Sequence, residues 1–228
     1  VAICPNTPEV WVYTGCENPD SSTWVLAYVL KEHDLVVSGI DWHPVTNRIV
    51  TCSHDRNAFV WTHDSASDTW KPCIAILRIN RAATSVKWSP DGLCMTSHNH
   101  PPPPPGQRFA VASGARVVPV CTYEVENDWW VSNQVRKHRS TVLSVAWHPN
   151  SQIIATACAD FKCRVFSVTD TELGDVPDAG PFPAPNEFGG LYIELDDARG
   201  WVNDVEWSPS GTRLTYVGHD SSLHMVQF

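Results

Sequence analysis

Cys52, His54 and Asp55 stand within four positions of one another in "RIVTCSHDRNAFVWT", Arg48 to Thr62. A thiol, an imidazole and a carboxylate this close are the parts of a zinc site or of a nucleophile activated by a neighbouring base. The same frame, however, recurs in "QIIATACADFKCRVFS" (Gln152 to Ser167) and "TRLTYVGHDSSLHMVQ" (Thr212 to Gln227), where the reactive-looking letters change and the Asp stays. Each copy follows a Trp-x-Pro element, "DWHP", "AWHP" or "EWSP", and Asp55, Asp160 and Asp220 fall thirteen positions after Trp42, Trp147 and Trp207. A fourth element, "KWSP", carries Trp88. A residue repeated at a fixed place in a frame reads as part of the frame. An Asp in a tight turn is stable when its oxygens meet donors, which makes Asp55 structural. Cys52 then lies on a strand beside Thr51 and points to the opposite face, and His54 belongs to the turn. No second ligand pair sits at a fixed spacing, and His98 with His100 beside a proline run is too little for a metal. The expectation is no catalytic residue, no metal and no cofactor.

The elements that must carry these residues are short alternating strands separated by turn chemistry: "VVSGIDWHP", a Pro-containing turn, "RIVTCS", "HDRN", "AFVWT". Four short strands in each unit of about 40–45 residues resemble the blades of a WD40 β-propeller. That resemblance implies hydrogen-bonded sets of His, Ser or Thr, Asp and Trp. His33, Thr51, Asp55 and Trp61 occupy those offsets, and His138, Thr156, Asp160 and Phe166 occupy them in the later copy. The Phe ring has no N–H to donate, so the second set is expected to be weaker.

Two segments interrupt the period. Trp88 and the counterpart of Asp55, Ala115, are 27 positions apart, fourteen more than in the other copies. Deleting 93–106, "LCMTSHNHPPPPPG", restores the frame, so this stretch reads as an insertion in a strand-to-strand turn. Its five prolines favour polyproline II, a form that aromatic grooves bind; a passive loop is the alternative. The second segment, "VTDTELGDVPDAGPFPAPNEFGG", is rich in Pro, Gly and acids and reads as a linker between blades. The expected division is 1–30 end of blade 1 and linker, 31–70 blade 2, 71–133 blade 3 with the insertion, 134–168 blade 4, 169–198 loose linker and 199–228 part of blade 5. This is an all-β chain of about four to five blades with an incomplete ring.

Composition agrees with a packed core: 43% of the 228 residues are apolar and eleven are Trp. Eight cysteines without a C-x-x-C pair read as reduced, mostly core residues. A net charge of −9 argues against nonspecific nucleic-acid binding. No run of about eighteen apolar residues suggests a membrane span, and no secretory leader is read, so the expected compartment is the cytoplasm.

Several segments are more particular than the repeat. "TWKPCIAILRINRAATSVKWSP", "ENDWWV", "RSTVLSVAWHPN" and "DFKCRVFS", with "SGIDWHPVTNRIVTCSHDRNAFVWT", closely resemble the WD40 subunit family, subunit 1, of the actin-related protein 2/3 complex. The resemblance runs through nearly the whole chain, apart from the insertion and 168–198. It implies a non-catalytic scaffold in an assembly that nucleates branched actin filaments. Implied partners are the other subunits of that complex, the actin filament and the acidic tails of nucleation-promoting factors, and the implied location is the actin cytoskeleton. An adaptor of another pathway, such as a histone-tail or degron reader, is the alternative. In WD40 blades the inter-blade loops and the Asp-bearing turns emerge on one face. Mapping the repeat onto that plan puts Arg56, Arg78, Arg81, Arg136, Lys137, Arg139 and Lys162 there, a basic rim on an acidic protein suited to an acidic partner.

Overall fold

A computed structural model describes residues 1–15, 24–90, 108–170, 182 and 187–228. The chain runs through eighteen strands grouped in five antiparallel sheets in sequence order, with no helix among the described residues. The first sheet has three strands, β1 (Ala2–Ile3), β2 (Glu9–Thr14) and β3 (Val25–Lys31). Next come β4 (Val37–Trp42), β5 (Ile49–Ser53), β6 (Asn57–Asp64) and β7 (Thr69–Ile76). The third sheet is β8 (Ala83–Trp88), β9 (Arg108–Ser113), β10 (Val117–Glu124) and β11 (Trp129–Arg136). The fourth is β12 (Val142–Trp147), β13 (Ile153–Cys158), β14 (Cys163–Ser167) and β15 (Leu191–Leu195), and the last is β16 (Val202–Trp207), β17 (Arg213–Gly218) and β18 (Leu223–Gln227). Each sheet is a meander, every strand pairing with the next.

The first strands β4, β8, β12 and β16 lie side by side and form the inner rank of an arc of blades. Polar bonds tie each to the next. Ser38 Oγ donates to the Ala83 carbonyl at 2.8 Å, Thr84 Oγ1 to the Val142 carbonyl at 2.7 Å, and Ser144 Oγ to Asp204 Oδ1 at 2.6 Å. Gly39 shows how close the approach is: a Cβ there would sit 2.9 Å from the Val86 nitrogen and 3.0 Å from Cys52 Sγ. Apolar residues fill the gaps between consecutive sheets. Val50, Cys52 and Val60 of one sheet pack on Val86, Trp88 and Phe109 of the next, and Ala155 and Val165 pack on Val205 and Trp207. The core is therefore a series of sheet-to-sheet layers, as alternating strands require.

The repeat Trp residues close the inner hairpins. Trp42, Trp147 and Trp207 stand opposite Ile49, Ile154 and Leu214, each seven residues on, whereas Trp88 stands opposite Phe109, twenty-one on. The fourteen extra residues thus fall inside one hairpin connection while the register on both sides is kept; 93–106 itself lies outside the described residues. Trp88, Trp147 and Trp207 are about 5–6% exposed, but Trp42 is only half-buried. Trp147 Nε1 reaches across to the Lys87 carbonyl of the preceding inner strand at 3.0 Å. Trp42 Nε1 instead donates to Asn47 Oδ1 at 2.9 Å, and its ring leans on Trp70.

The segment 169–198, expected as a loose linker, contains β15. Its residues pair with Cys163–Phe166 and complete the fourth sheet. The fourth strands of the sheets before it likewise fall later than the repeat period alone suggests, at Thr69–Ile76 and Trp129–Arg136.

Candidate functional site

Within each sheet the turn between the second and third strands lies beside the start of the first and the end of the fourth, because neighbours run antiparallel. The loop from one fourth strand to the next first strand therefore emerges at the same end, and all such turns and loops share one face. Backbone bonds join them. The amides of His54, Gly114, Ala159 and His219 donate to the carbonyls of Val36, Ala82, Thr141 and Trp201 at 2.7–3.0 Å. The turns share a conformation as well: Arg56, Arg116, Phe161 and Ser221 all have positive φ, between 64° and 74°, at the same place.

The repeated Asp pins loop to turn. Oδ2 of Asp55, Asp160 and Asp220 accepts the backbone N–H of Asp34, Arg139 and Arg199 at 3.1, 2.9 and 2.7 Å, in each case twenty-one residues earlier. Asp55 Oδ1 also takes the Asn57 amide at 2.8 Å. The Ser222 hydroxyl, with the Arg199 and Ser222 amides, holds the carboxyl of Asp220 down at about 2. The letters that suggested chemistry do not converge. Cys52 is fully buried, its thiol pushed up to about 12 by burial, and His54 is an exposed turn residue. No cluster of three or more potential metal ligands exists among the described residues. The described cysteines are all free.

The structure brings His33, Thr51, Asp55 and Trp61 together as one chain of bonds. His33 Nδ1 meets Asp55 Oδ2 at 2.7 Å, His33 Nε2 meets Thr51 Oγ1 at 2.8 Å, and Trp61 Nε1 donates to the same hydroxyl at 3.0 Å. Burial lowers the His33 pKa, opposed by the Asp55 carboxylate. In the later copy only His138 Nε2 and Thr156 Oγ1 meet, at 3.0 Å. His138 Nδ1 is buried without a hydrogen-bond partner among the described residues, and the Phe166 ring lies tilted against the imidazole without donating. Asp160 is taken instead by Arg164, a fully buried cation whose guanidinium lies 2.9 Å from Asp160 Oδ2 and, through Nε, 2.7 Å from Glu194 of β15. Burial and the Arg164 charge drive the His138 pKa down to about 4. Sequence reasoning missed this clamp. Its signal was an Arg four residues after the turn Asp, but its second anchor lies thirty residues on, in β15.

Of the seven rim residues, Arg56, Arg78, Arg81, Arg136, Lys137 and Arg139 are exposed on this face and make no ion pair among the described residues. Gln134 organises two of them, donating to the Arg78 carbonyl at 3.0 Å and accepting from Arg136 at 3.0 Å. Lys162 differs: it is half-buried and paired with Glu194, so its charge is spent within the fold. The rim gains Arg116, exposed in the turn equivalent to that of Arg56, and Arg199 in the last inter-sheet loop. Both were legible from the repeat frame. The exposed apolar side chains Leu35, Phe161 and Trp201 lie among them.

Sheets of this order, with a His–Thr–Trp–Asp chain closing the blade, define an incomplete WD40-type β-propeller. The WD40 family, described as WD domain, G-beta repeat, matches residues 24–62 and 130–167. Over nearly all its length the chain is similar to curated proteins named actin-related protein 2/3 complex subunit 1. It is 44% identical over 227 residues, 99% of the chain, to subunit 1A of Arabidopsis thaliana, and 45% identical over 229 residues to subunit 1A-B of Xenopus laevis. It is 43% identical over 205 residues, 90% of the chain, to subunit 1 of Schizosaccharomyces pombe. The chain spans about half the length of these relatives, 50–56%.

Proposed function

We propose that the chain is part of a non-catalytic scaffold subunit of an actin-related protein 2/3 complex. In this role it positions neighbouring subunits for nucleation of branched actin filaments and offers its basic face to acidic tails of nucleation-promoting factors. Location would follow the complex, in the cytoplasm at the actin cytoskeleton. The observation that carries the reading is homology to the named subunit over 90–99% of the chain. It is supported by a rigid arc of blades whose loops are pinned at one end, and by eight exposed cations there in a protein of net charge −9. Rigid scaffolds with many fixed loops suit binding rather than bond-making.

Single exposed pairs contribute only about 0–1 kcal/mol, so a cluster must act together. The test is the affinity of the complex containing this chain for an acidic activator peptide, wild type against Arg136→Glu, Lys137→Glu and Arg139→Glu combined, across salt concentrations. Weaker binding with a shallower salt dependence is expected. Unchanged affinity and slope with assembly intact would reduce the rim to a solvated face. Loss of assembly would assign it to a subunit interface, and absence of other complex subunits from a stoichiometric purification would sink the scaffold reading.

A further inference from the structure

We propose that Ser140 is a phosphoacceptor for a basophilic serine/threonine kinase, and that its phosphorylation discharges the basic rim. Three cations precede it in "RKHRS", Arg136, Lys137 and Arg139, at positions −4, −3 and −1. An acidic kinase groove recognises cations so placed. The structure sorts this loop into two sides. His138 is buried against Thr156, while Arg136, Lys137 and Arg139 are all exposed and free of ion pairs among the described residues. Arg136 is the last residue of β11 and β12 begins only at Val142, so Lys137 and Arg139 lie in the connection between the two strands, N-terminal to the acceptor.

Ser140 itself is half-buried, in the place of the repeat held by the exposed Leu35 and Arg81. Its carbonyl serves the fold by accepting from Cys158 Sγ at 3.5 Å, while its hydroxyl makes no hydrogen bond among the described residues. Other serines near the inner rank differ. The hydroxyls of Ser38, Ser53 and Ser144 are bonded to Ala83, Leu35 and Asp204. Modifying Ser140 breaks no described contact.

In the reaction the Ser140 oxygen attacks the γ-phosphorus of ATP. The bond from that phosphorus to the bridging oxygen breaks, ADP leaves with the electron pair, and the hydroxyl proton passes to the carboxylate base of the kinase. The product carries about −1.5 to −2 charges at pH 7. Beside three cations, it cancels most of the local positive charge. The regulatory half rests on the acidic-partner reading above; the phosphoacceptor half does not.

The experiment treats the full chain with the catalytic domain of a basophilic kinase and ATP and locates phosphate by mass spectrometry. A synthetic peptide of residues 134–146 runs alongside, and Ser140→Ala and Thr141→Ala serve as controls. One phosphate is expected, lost in Ser140→Ala and kept in Thr141→Ala. A labelled peptide with an unlabelled chain, no label on either, or label surviving Ser140→Ala overturns the site. The second arm measures binding of an Asp/Glu decapeptide to the phosphorylated, unmodified and triply charge-reversed chains. Phosphorylation should weaken binding roughly threefold to tenfold at low salt, fading as salt rises. Charge reversal that weakens binding while phosphorylation does not overturns the regulatory half alone. If neither weakens it, the acidic-partner reading fails and the regulatory half with it, while the mass spectra still decide the site.

Discussion

Replacing Thr51 by Val keeps the side-chain shape and removes one oxygen on which two nitrogens depend. Thr51 is fully buried; its hydroxyl accepts from Trp61 Nε1 at 3.0 Å and meets His33 Nε2 at 2.8 Å. Each buried nitrogen left without a partner costs about 1–3 kcal/mol, so Thr51→Val should cost roughly 2–4 kcal/mol once the gain from the added methyl is set against it. Thr156 is equally buried and occupies the same place, and like Thr51 its hydroxyl also reaches a strand carbonyl, Arg164 at 3.3 Å; yet His138, at 3.0 Å, is the one ring nitrogen that bonds to it, because Phe166 has no N–H. Thr156→Val should cost about 1–2 kcal/mol. Urea unfolding followed by tryptophan fluorescence, run on both variants and the parent, measures the two costs against each other. A third variant isolates the cause. Trp61→Phe makes the earlier blade like the later one, and in that background Thr51→Val should fall to the cost of Thr156→Val, a coupling of about 1 kcal/mol or more. Equal costs for the two Thr variants, or no coupling with Trp61→Phe, would refute the claim that the Trp donor makes the earlier set the stronger one.

Arg164→Met should cost about 3–5 kcal/mol by leaving Asp160 facing the core unpaired, and adding Asp160→Asn and Glu194→Gln should recover much of it; chemical denaturation of the single and triple variants checks this. His138 titrates at about 4 in the fold against about 6.5 in an unfolded chain, so in this window the unfolded state binds the proton that the fold refuses. Stability should therefore fall as pH drops from about 6.5 to 4, by up to about 1.4 kcal/mol per pH unit from this group, and His138→Gln should flatten that part of the profile. Cys52, with its thiol held up at about 12, should resist alkylation in the folded chain and react on unfolding, and Cys52→Ala should cost roughly 1–2 kcal/mol while leaving binding by the basic face unchanged.

What the sequence by itself determined is what near neighbours encode. Alternation over five to eight residues, Trp-x-Pro before each inner turn and an Asp thirteen positions later specify strands, hairpins and the pinned turn, because each depends on contacts within one blade. Even the fourteen-residue insertion was legible, since a hairpin connection can lengthen while Trp88 keeps its place opposite Phe109. Tertiary structure decided the features that depend on a strand from elsewhere. The pentapeptide "LYIEL" follows a Pro- and Gly-rich stretch and is too short to declare itself a strand; pairing with β14 makes it one. Its Glu194 then captures Arg164 and Lys162 together, drawing Asp160 away from His138 and removing Lys162 from the rim. Trp42 shares its motif with Trp147, yet its indole bonds Asn47 of its own hairpin where Trp147 reaches a neighbouring strand's carbonyl, and it is half-buried. A side chain's charge and shape are written in its own letter, but whether that charge is free and that shape covered depends on which strand lies beside it.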